Sequence, residues 1–363
     1  MHDRSRSFTR RRVLGATAGA AAALGTASIA TAQAAEPLGS RSASSTGSLD
    51  PAKGLPSAVH PVSGVNAQTP GSGPTWIDSI YFTSQLEIDG HDFGLLVATG
   101  RLPGNGGSVT VTATDQVSGW HKSHQALVTE DDYTWDTGTL DIKAPTLTWT
   151  GDAQKMSVQA TADWGSADLR LERQGPALVY LGSGVWPMLG ATQYEFAHPS
   201  MRTTGTVTIE GKKHQVSGES WLDRQWGSLP TSKWRWTWMN ISLSNGDKIA
   251  LWDILDDKNE NAFATVLHPD GSYDLAAVRP VAEGARRIWT SPTSGNAYPT
   301  RWRVEIPSLD TRLDVRVTGT EQQELDGHGI PARMDITAAV AGIHEGKRVT
   351  GKTYVEMVGS WKA

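Results

Sequence analysis

Trp234-Arg235-Trp236-Thr237-Trp238-Met239-Asn240-Ile241-Ser242-Leu243, then Ser244-Asn245-Gly246-Asp247, then Lys248 to Leu255, reads as two strands joined by a tight turn. Apolar and polar side chains alternate with period two, and no three-to-four-residue helical spacing runs through them. The Asn-Gly pair suits a type I′ hairpin turn. Period two places Trp234, Trp236, Trp238, Asn240 and Ser242 on one face of the first strand, and Arg235, Thr237, Met239, Ile241 and Leu243 on the other. An aromatic face of this kind packs a core or walls a cavity. Asn240 and Ser242 argue for a cavity, because they would waste hydrogen bonds in a dry interior.

The same grammar extends in both directions. Asp89-Gly90 separates Tyr81–Ile88 from His91–Thr99, Glu210-Gly211 separates Thr204–Ile209 from Lys212–Ser220, and Asp270-Gly271 separates Ala262–Leu267 from Tyr273–Val278. Short alternating runs continue from Ser108 to Glu172 and from Trp302 to Val358. Repeated short strands with tight turns define an all-β chain built as antiparallel sandwiches or barrels. Gly182 to Gly190, with Gly184 and Pro187 between, reads as the link between two sheets. That places the domain boundary there, giving one β domain over 75–190 and a second over 191–363.

The chain of 363 residues has length enough for two domains, and its net charge of -5 gives no reason to expect nucleic acid or an anionic membrane as partner. With 15 Trp against 5 Phe and 7 Tyr, its aromatic content sits in the residue best suited to line a pocket and still donate a hydrogen bond. Thr9-Arg10-Arg11-Arg12-Val13-Leu14, an Ala-rich apolar run to about Ala30 and the Ala32-Gln33-Ala34 cleavage pattern make residues 1–35 resemble a twin-arginine signal peptide. This implies secretion through the twin-arginine export machinery rather than stable membrane insertion. There is no cysteine, so no disulfide framework is available. Residues 36–74, rich in Ser, Gly, Pro and Ala, read as a flexible linker, with ordered structure starting near Trp76.

A second stretch carries the chemistry: Gly218-Glu219-Ser220-Trp221-Leu222-Asp223-Arg224-Gln225-Trp226-Gly227. A carboxylate between two indoles is in conflict with its surroundings, since aspartate seeks water and tryptophan avoids it. Desolvation by the indoles would raise the pKa of Asp223, and a neighbouring Arg224 would lower it. Asp223 is therefore a proton donor, a structural cap or ion-pair partner, or both.

This stretch, together with Arg202-Thr203-Thr204-Gly205-Thr206-Val207, Gly295-Asn296-Ala297-Tyr298-Pro299 and the terminal Gly351-Lys352-Thr353-Tyr354-Val355-Glu356-Met357-Val358-Gly359, resembles the carotenoid 1,2-hydratase (hydroxyneurosporene synthase) and AttH-like superfamily. The resemblance implies two tandem lipocalin-like β domains and an apolar substrate, with neither metal nor cofactor. The superfamily includes isoflavonoid hydratases and Diels–Alder cyclases that form decalins. It implies that Asp223 protonates an alkene and that Trp221 occupies the place of a motif aromatic. Arg224-Gln225 stand where hydratases commonly have His-Asn, and Tyr194-Glu195-Phe196 is the counterpart of an upstream His-x-Trp pair.

The resulting expectation is a secreted, cofactor-free enzyme that hydrates, isomerises or cyclises a polyene, terpenoid or polyketide. Asp223, Arg224 and Tyr194 are its candidate catalytic residues. Trp221, Trp226, Trp236, Trp238, Asn240, Phe196, Tyr298, Tyr354 and Glu356 are its candidate substrate-binding residues. Aromatic faces would stabilise a cation, and Tyr194, Tyr298 or Arg224 would polarise a carbonyl. Tyr354 and Glu356 share one strand face, as a surface ladder or a cavity wall. A pericyclic catalyst that works by folding its substrate, and a lipocalin-like carrier without chemistry, are the alternatives. No Gly-x-Ser-x-Gly elbow occurs, and Gly104-Asn105-Gly106-Gly107 reads as a turn with no helix behind it to bind phosphate. His121-Lys122-Ser123-His124 lies in strand and loop surroundings and does not read as a metal site.

Overall fold

Asp89-Gly90 and Glu210-Gly211 form tight turns in which both residues have positive φ, as type I′ geometry requires. Asn245-Gly246 departs from that expectation, because only Gly246 has positive φ there. A computed structural model describes residues 58–70, 75–102, 106–230, 233–292, 294–318, 324–325 and 333–361. The signal peptide read at 1–35 and much of the linker read at 36–74 lie outside them.

The described chain is almost entirely antiparallel β structure in two sheets. The first contains β1 (Trp76–Ile88), β2 (His91–Arg101), β3 (Gly107–Asp115), β4 (His121–Val128), β5 (Thr134–Trp135), β6 (Leu140–Ala144) and β7 (Leu147–Gly151). It continues with β8 (Lys155–Ala162), β9 (Gly165–Arg173), β10 (Leu178–Val179), β11 (Val185–Met188), β12 (Ala191–Ile209) and β13 (Lys212–Ser228). Its strand order is β4-β3-β2-β1-β13-β12-β9-β8-β7-β6-β5, with β10 and β11 added against β12. The sheet curls so that its two wings share one core, in which Phe82 of β1 meets Trp149 of β7 edge to face at 6.4 Å.

The second sheet contains β14 (Arg235–Leu243), β15 (Lys248–Leu255), β16 (Glu260–Leu267), β17 (Tyr273–Ala277), β18 (Ala285–Thr290) and β19 (Ala297–Ile306). It is completed by β20 (Thr311–Val317), β21 (Glu324–Leu325), β22 (Arg333–His344) and β23 (Lys347–Val358). Its order is β17-β16-β15-β14-β23-β22-β20-β19-β18, with β21 against β22. A separate core including Met239, Trp302, Val304 and Ile336 fills it. The paired sheets are the lipocalin-like architecture that the sequence predicts. No described helix is long and apolar enough to cross a membrane.

The sheets divide at a different place from the one expected. β12 and β13 pair with each other and with β9 and β1, so the motif strand is in the middle of the first sheet rather than in a domain beginning at 191. The chain crosses between sheets in the short segment after Ser228. Residues 182–190, read as the link, instead fold back as β11 along β12. Gly182, Gly184 and Gly190 all have positive φ, which explains why that stretch looked unlike a strand.

The supposed linker also contributes structure. Residues 58–70 cross the first sheet, burying Val59, Val65 and Ala67 in its core. Gly64 sits where an added Cβ would fall 2.6 Å from the Phe196 ring, so only glycine allows that approach.

Arg224 fastens this strap. Its side chain is fully buried on the core face of β13, donating to the carbonyls of Gly64 at 2.9 Å, Asn66 at 3.0 Å and Ser79. It is ion-paired with Asp78 at 2.8 Å and lies 4.5 Å from the Trp135 ring centroid. Asp78 in turn receives Arg101 at 2.6 Å and the Gln68 amide at 2.8 Å. A buried cation is tolerable only when every donor is occupied, and the strap supplies two of the acceptors. Arg224→Ala should lower unfolding free energy by about 3 to 5 kcal/mol, because Asp78 and the carbonyls stay buried after their donor is gone. Equilibrium urea unfolding checks this, and faster proteolysis within 58–70 is the accompanying local sign.

Candidate active site

Period-two alternation sorts β13 into two faces. Trp221, Asp223 and Gln225 face the second sheet, whereas Leu222, Arg224 and Trp226 face the first core. Register then builds a row on each sheet. In the first sheet Tyr81 and Ala197 stand opposite Asp223. In the second, Trp252, Trp238, Glu356 and Asp335 stand side by side across β15, β14, β23 and β22. The rows face each other, with the Tyr81 hydroxyl donating to Asp335 at 2.7 Å and the Tyr81 and Trp238 rings edge to face at 5.6 Å.

Between the rows lies a cavity of about 120 Å³ lined by Asp223, Glu195, Trp236, Trp238, Trp252, Tyr81, Arg333 and Glu356, among others. Asp223 is 4 % exposed. Its Oδ1 accepts a hydrogen bond from the Tyr180 hydroxyl at 2.8 Å, and that hydroxyl accepts one from the Trp238 indole at 3.1 Å. Its Oδ2 has no hydrogen-bond partner among the described residues. Glu195 is buried too, with Oε2 accepting from the indoles of Trp186 at 2.9 Å and Trp252 at 3.2 Å. Glu356 Oε2 accepts from Trp236 at 3.2 Å, and Oε1 lies 3.7 Å from Arg333. Arg333 also pairs with Asp335 at 3.0 Å.

Burial dominates the proton equilibria. Desolvation pushes the carboxyl of Asp223 well above the ordinary carboxylate range, and the Tyr180 hydrogen bond offsets only part of this. Glu195 is pushed the same way, first by desolvation and then by the charge of Asp223. Glu356 is raised to about 8, by burial and by Asp335, against the opposing pull of Arg333. Protonated Asp223 would carry its proton on the unpartnered oxygen, since Oδ1 is occupied as an acceptor. The arrangement is thus an aromatic-walled cavity with buried carboxyls whose proton affinity is raised.

The residues singled out from sequence separate into four places. Asp223, Trp236, Trp238 and Glu356 meet at the cavity. Trp221, Asn240 and Tyr354 lie along a distinct polar groove of about 350 Å³ between the same sheets. There Asn240 has a bridging task, donating to Thr83 at 2.7 Å and accepting from the Tyr354 amide at 2.6 Å. Arg224, Trp226, Tyr194 and Phe196 point away from the cavity toward the first core, with Tyr194 stacked on Trp226 at 5.7 Å. Neither Arg224 nor Tyr194 can act on a ligand beside Asp223, because adjacent strand residues face opposite ways. Tyr298 lies in the second core between Trp289 and Trp361.

Glu195, Trp252, Tyr81 and Arg333 line the cavity and were missed in the sequence reading, as were Tyr180 and Asp335, which hydrogen-bond to lining residues from behind. For Trp252 a signal exists, since counting outward from Asn245 pairs it with Trp238. For Glu195 the signal is alternation, because its neighbours Tyr194 and Phe196 both belong to the other face.

Residues 107–360 match the AttH-like family, and the chain belongs to it. Among characterised relatives, dehydratase asqC of Emericella nidulans is 27% identical over 214 residues, covering 56% of this chain and 61% of that protein. The chain thus spans less than two thirds of that relative. Kievitone hydratase of Fusarium solani subsp. phaseoli is 24% identical over 260 residues, 66% of this chain and 71% of that protein. The crystal structure of kievitone hydratase from Nectria haematococca superposes with a TM-score of 0.69 at 20% identity, covering 84% of this chain and 94% of that one.

The raised Glu356 carboxyl has a thermodynamic consequence. Between about pH 4.5 and about pH 8 the folded chain retains a proton that the unfolded chain has lost, so stability falls as pH rises across that window. One such proton gives a slope of about 1.4 kcal/mol per pH unit. Glu356→Gln should show a shallower decline than wild type in urea unfolding series across the window. Parallel curves would mean that Glu356 titrates normally.

Proposed function

We propose that this AttH-family chain is an enzyme that adds water to, or removes it from, an apolar unsaturated small molecule in the cavity between its sheets. The observation that carries this reading is Asp223, shut away from solvent among indoles with one oxygen fixed by Tyr180 and the other unpartnered. That two relatives are a dehydratase and a hydratase supports water as the co-reactant.

In the hydration direction, Asp223 donates its proton to one alkene carbon, leaving a cation at the other and a carboxylate behind. The faces of Trp236, Trp238 and Trp252 stabilise such a cation, each by about 1 to 2 kcal/mol in a desolvated site. Water attacks the cation, and its surplus proton returns to the Asp223 carboxylate, restoring the starting state. Dehydration runs the same steps backward, with Asp223 protonating the departing hydroxyl. Tyr180 acts as a positioning residue, holding the carboxyl so that its free oxygen meets the substrate. The steps use only proton transfer, so no redox cofactor is called for.

Turnover is followed by mass spectrometry as gain or loss of one water, with kievitone and a panel of apolar alkenes and alcohols as probes. Asp223→Asn should lower the rate by at least about a hundredfold while leaving the circular dichroism spectrum intact. Tyr180→Phe should cost less, since the carboxyl itself survives. Full activity in Asp223→Asn would sink proton donation. If Trp236→Ala were then the damaging change, a pericyclic reaction governed by substrate folding would take its place.

We further propose that the chain is exported through its paired arginines. A reporter fused to residues 1–35 should leave the cytoplasm, and replacing Arg10, Arg11 and Arg12 by lysine should hold it inside.

A further inference from the structure

At one end of the second sheet three turns converge: the one joining β14 to β15, the one joining β16 to β17, and the one joining β22 to β23. They bring together Asp247, His268, Asp274, His344 and Glu345, none of which lines the cavity or the polar groove. Asp247 and His344 are buried, and Glu345 is exposed.

The protons in this cluster can be counted. Thr311 donates its single hydroxyl proton to the Leu309 carbonyl at 2.9 Å, so in its 2.7 Å contact with His344 Nδ1 it must accept. Nδ1 therefore carries a proton, and Nε2 is the ring nitrogen left facing Asp247. That atom makes no hydrogen bond, although Asp247 Oδ2 lies 3.0 Å away. His268 differs. Its Nδ1 is 2.8 Å from Asp247 Oδ1 and its Nε2 is 3.0 Å from Asp274 Oδ2, and carboxylates accept only, so both nitrogens donate. Within the cluster three carboxylates meet two imidazole rings, so the acidic groups outnumber the basic ones.

We propose that Asp247, His344 and Glu345 form a site for a divalent transition-metal ion, best matched by zinc, that staples the three turns together. One donor atom from each lies within 4.8 Å of the other two, close enough to share one ion. A mixed imidazole and carboxylate set suits zinc, whereas magnesium and calcium prefer oxygen donors alone. The Thr311 contact holds the His344 ring with Nε2 toward the site, as the outer partners of metal-bound histidines do. His268 neutralises the second oxygen of Asp247 from outside, and water completes the coordination. In a chain without cysteine, such an ion would be a cross-link between distant turns.

Untagged full-length protein, stripped with EDTA and dialysed, is titrated with zinc chloride by calorimetry and melted with and without the metal. Wild type should bind one zinc per chain, with a rise in Tm of at least about 3 °C that magnesium chloride does not reproduce. His344→Gln should lose the one-to-one binding. Glu345→Gln, an exposed change that leaves the fold in place, should weaken binding at least about tenfold even if the His344 variant fails to fold. Absence of stoichiometric zinc binding by wild type, or undiminished binding in Glu345→Gln, would overturn the proposal and leave the cluster an ion-pair network.

Discussion

The two-residue repeat of β13 is the constraint on which the molecule turns. It passes between two interiors, and consecutive side chains must answer to different surroundings. Arg224 enters the first core as a cation and is satisfied there by Asp78 and backbone carbonyls. Asp223 enters the space between sheets without an ion-pair partner, and burial pushes its carboxyl well above the ordinary carboxylate range. The two are neighbours in sequence with opposite solutions to the same problem of burying charge. The sheet itself separates them, one on each of its faces.

The cavity repeats this division on a smaller scale. Asp335 is gripped by Arg333 and Tyr81, whereas Asp223 and Glu195 are surrounded by phenol and indole donors that carry no full charge. Neutral donors orient a carboxyl without strongly favouring its ionised form, so desolvation decides its protonation. The tryptophans thus have a double task. Their N–H groups set the geometry of the acids, and their ring faces make the surroundings apolar, which favours the neutral carboxyl.

Much of the architecture was legible because strand alternation and Gly-containing turns are local. The hairpins at Asp89-Gly90 and Glu210-Gly211 needed only their own residues to be read. The sheet boundary was misplaced because Gly182–Gly190 carries the marks of a loop while pairing as an added strand beside β12, a fact settled by distant partners. The linker was misjudged for the same reason. Its few apolar residues find their burial, and Gly64 and Asn66 find Arg224, across some 160 positions of chain. In the site, Asp223 stood out by the mismatch with its flanks. Arg224 was drawn toward it by adjacency, which in a strand means the opposite face, and Tyr194 and Phe196 by their place in the upstream pair, which lies on that face too. Tyr81 and Asp335 carry no local mark, since only the meeting of two sheets gives them meaning.

The aromatic residues that enclose the chamber also glue the sheets to one another: Trp236, Trp238 and Trp252 belong to the cluster that includes Leu96, Leu178 and Met188. Hollowing the chamber for a bulkier guest strips adhesion from the halves that form it, and tightening the halves squeezes the guest out. Diversification of substrate within such a scaffold is therefore constrained to move in compensated pairs, with each enlargement on one wall matched by new grip elsewhere along the seam.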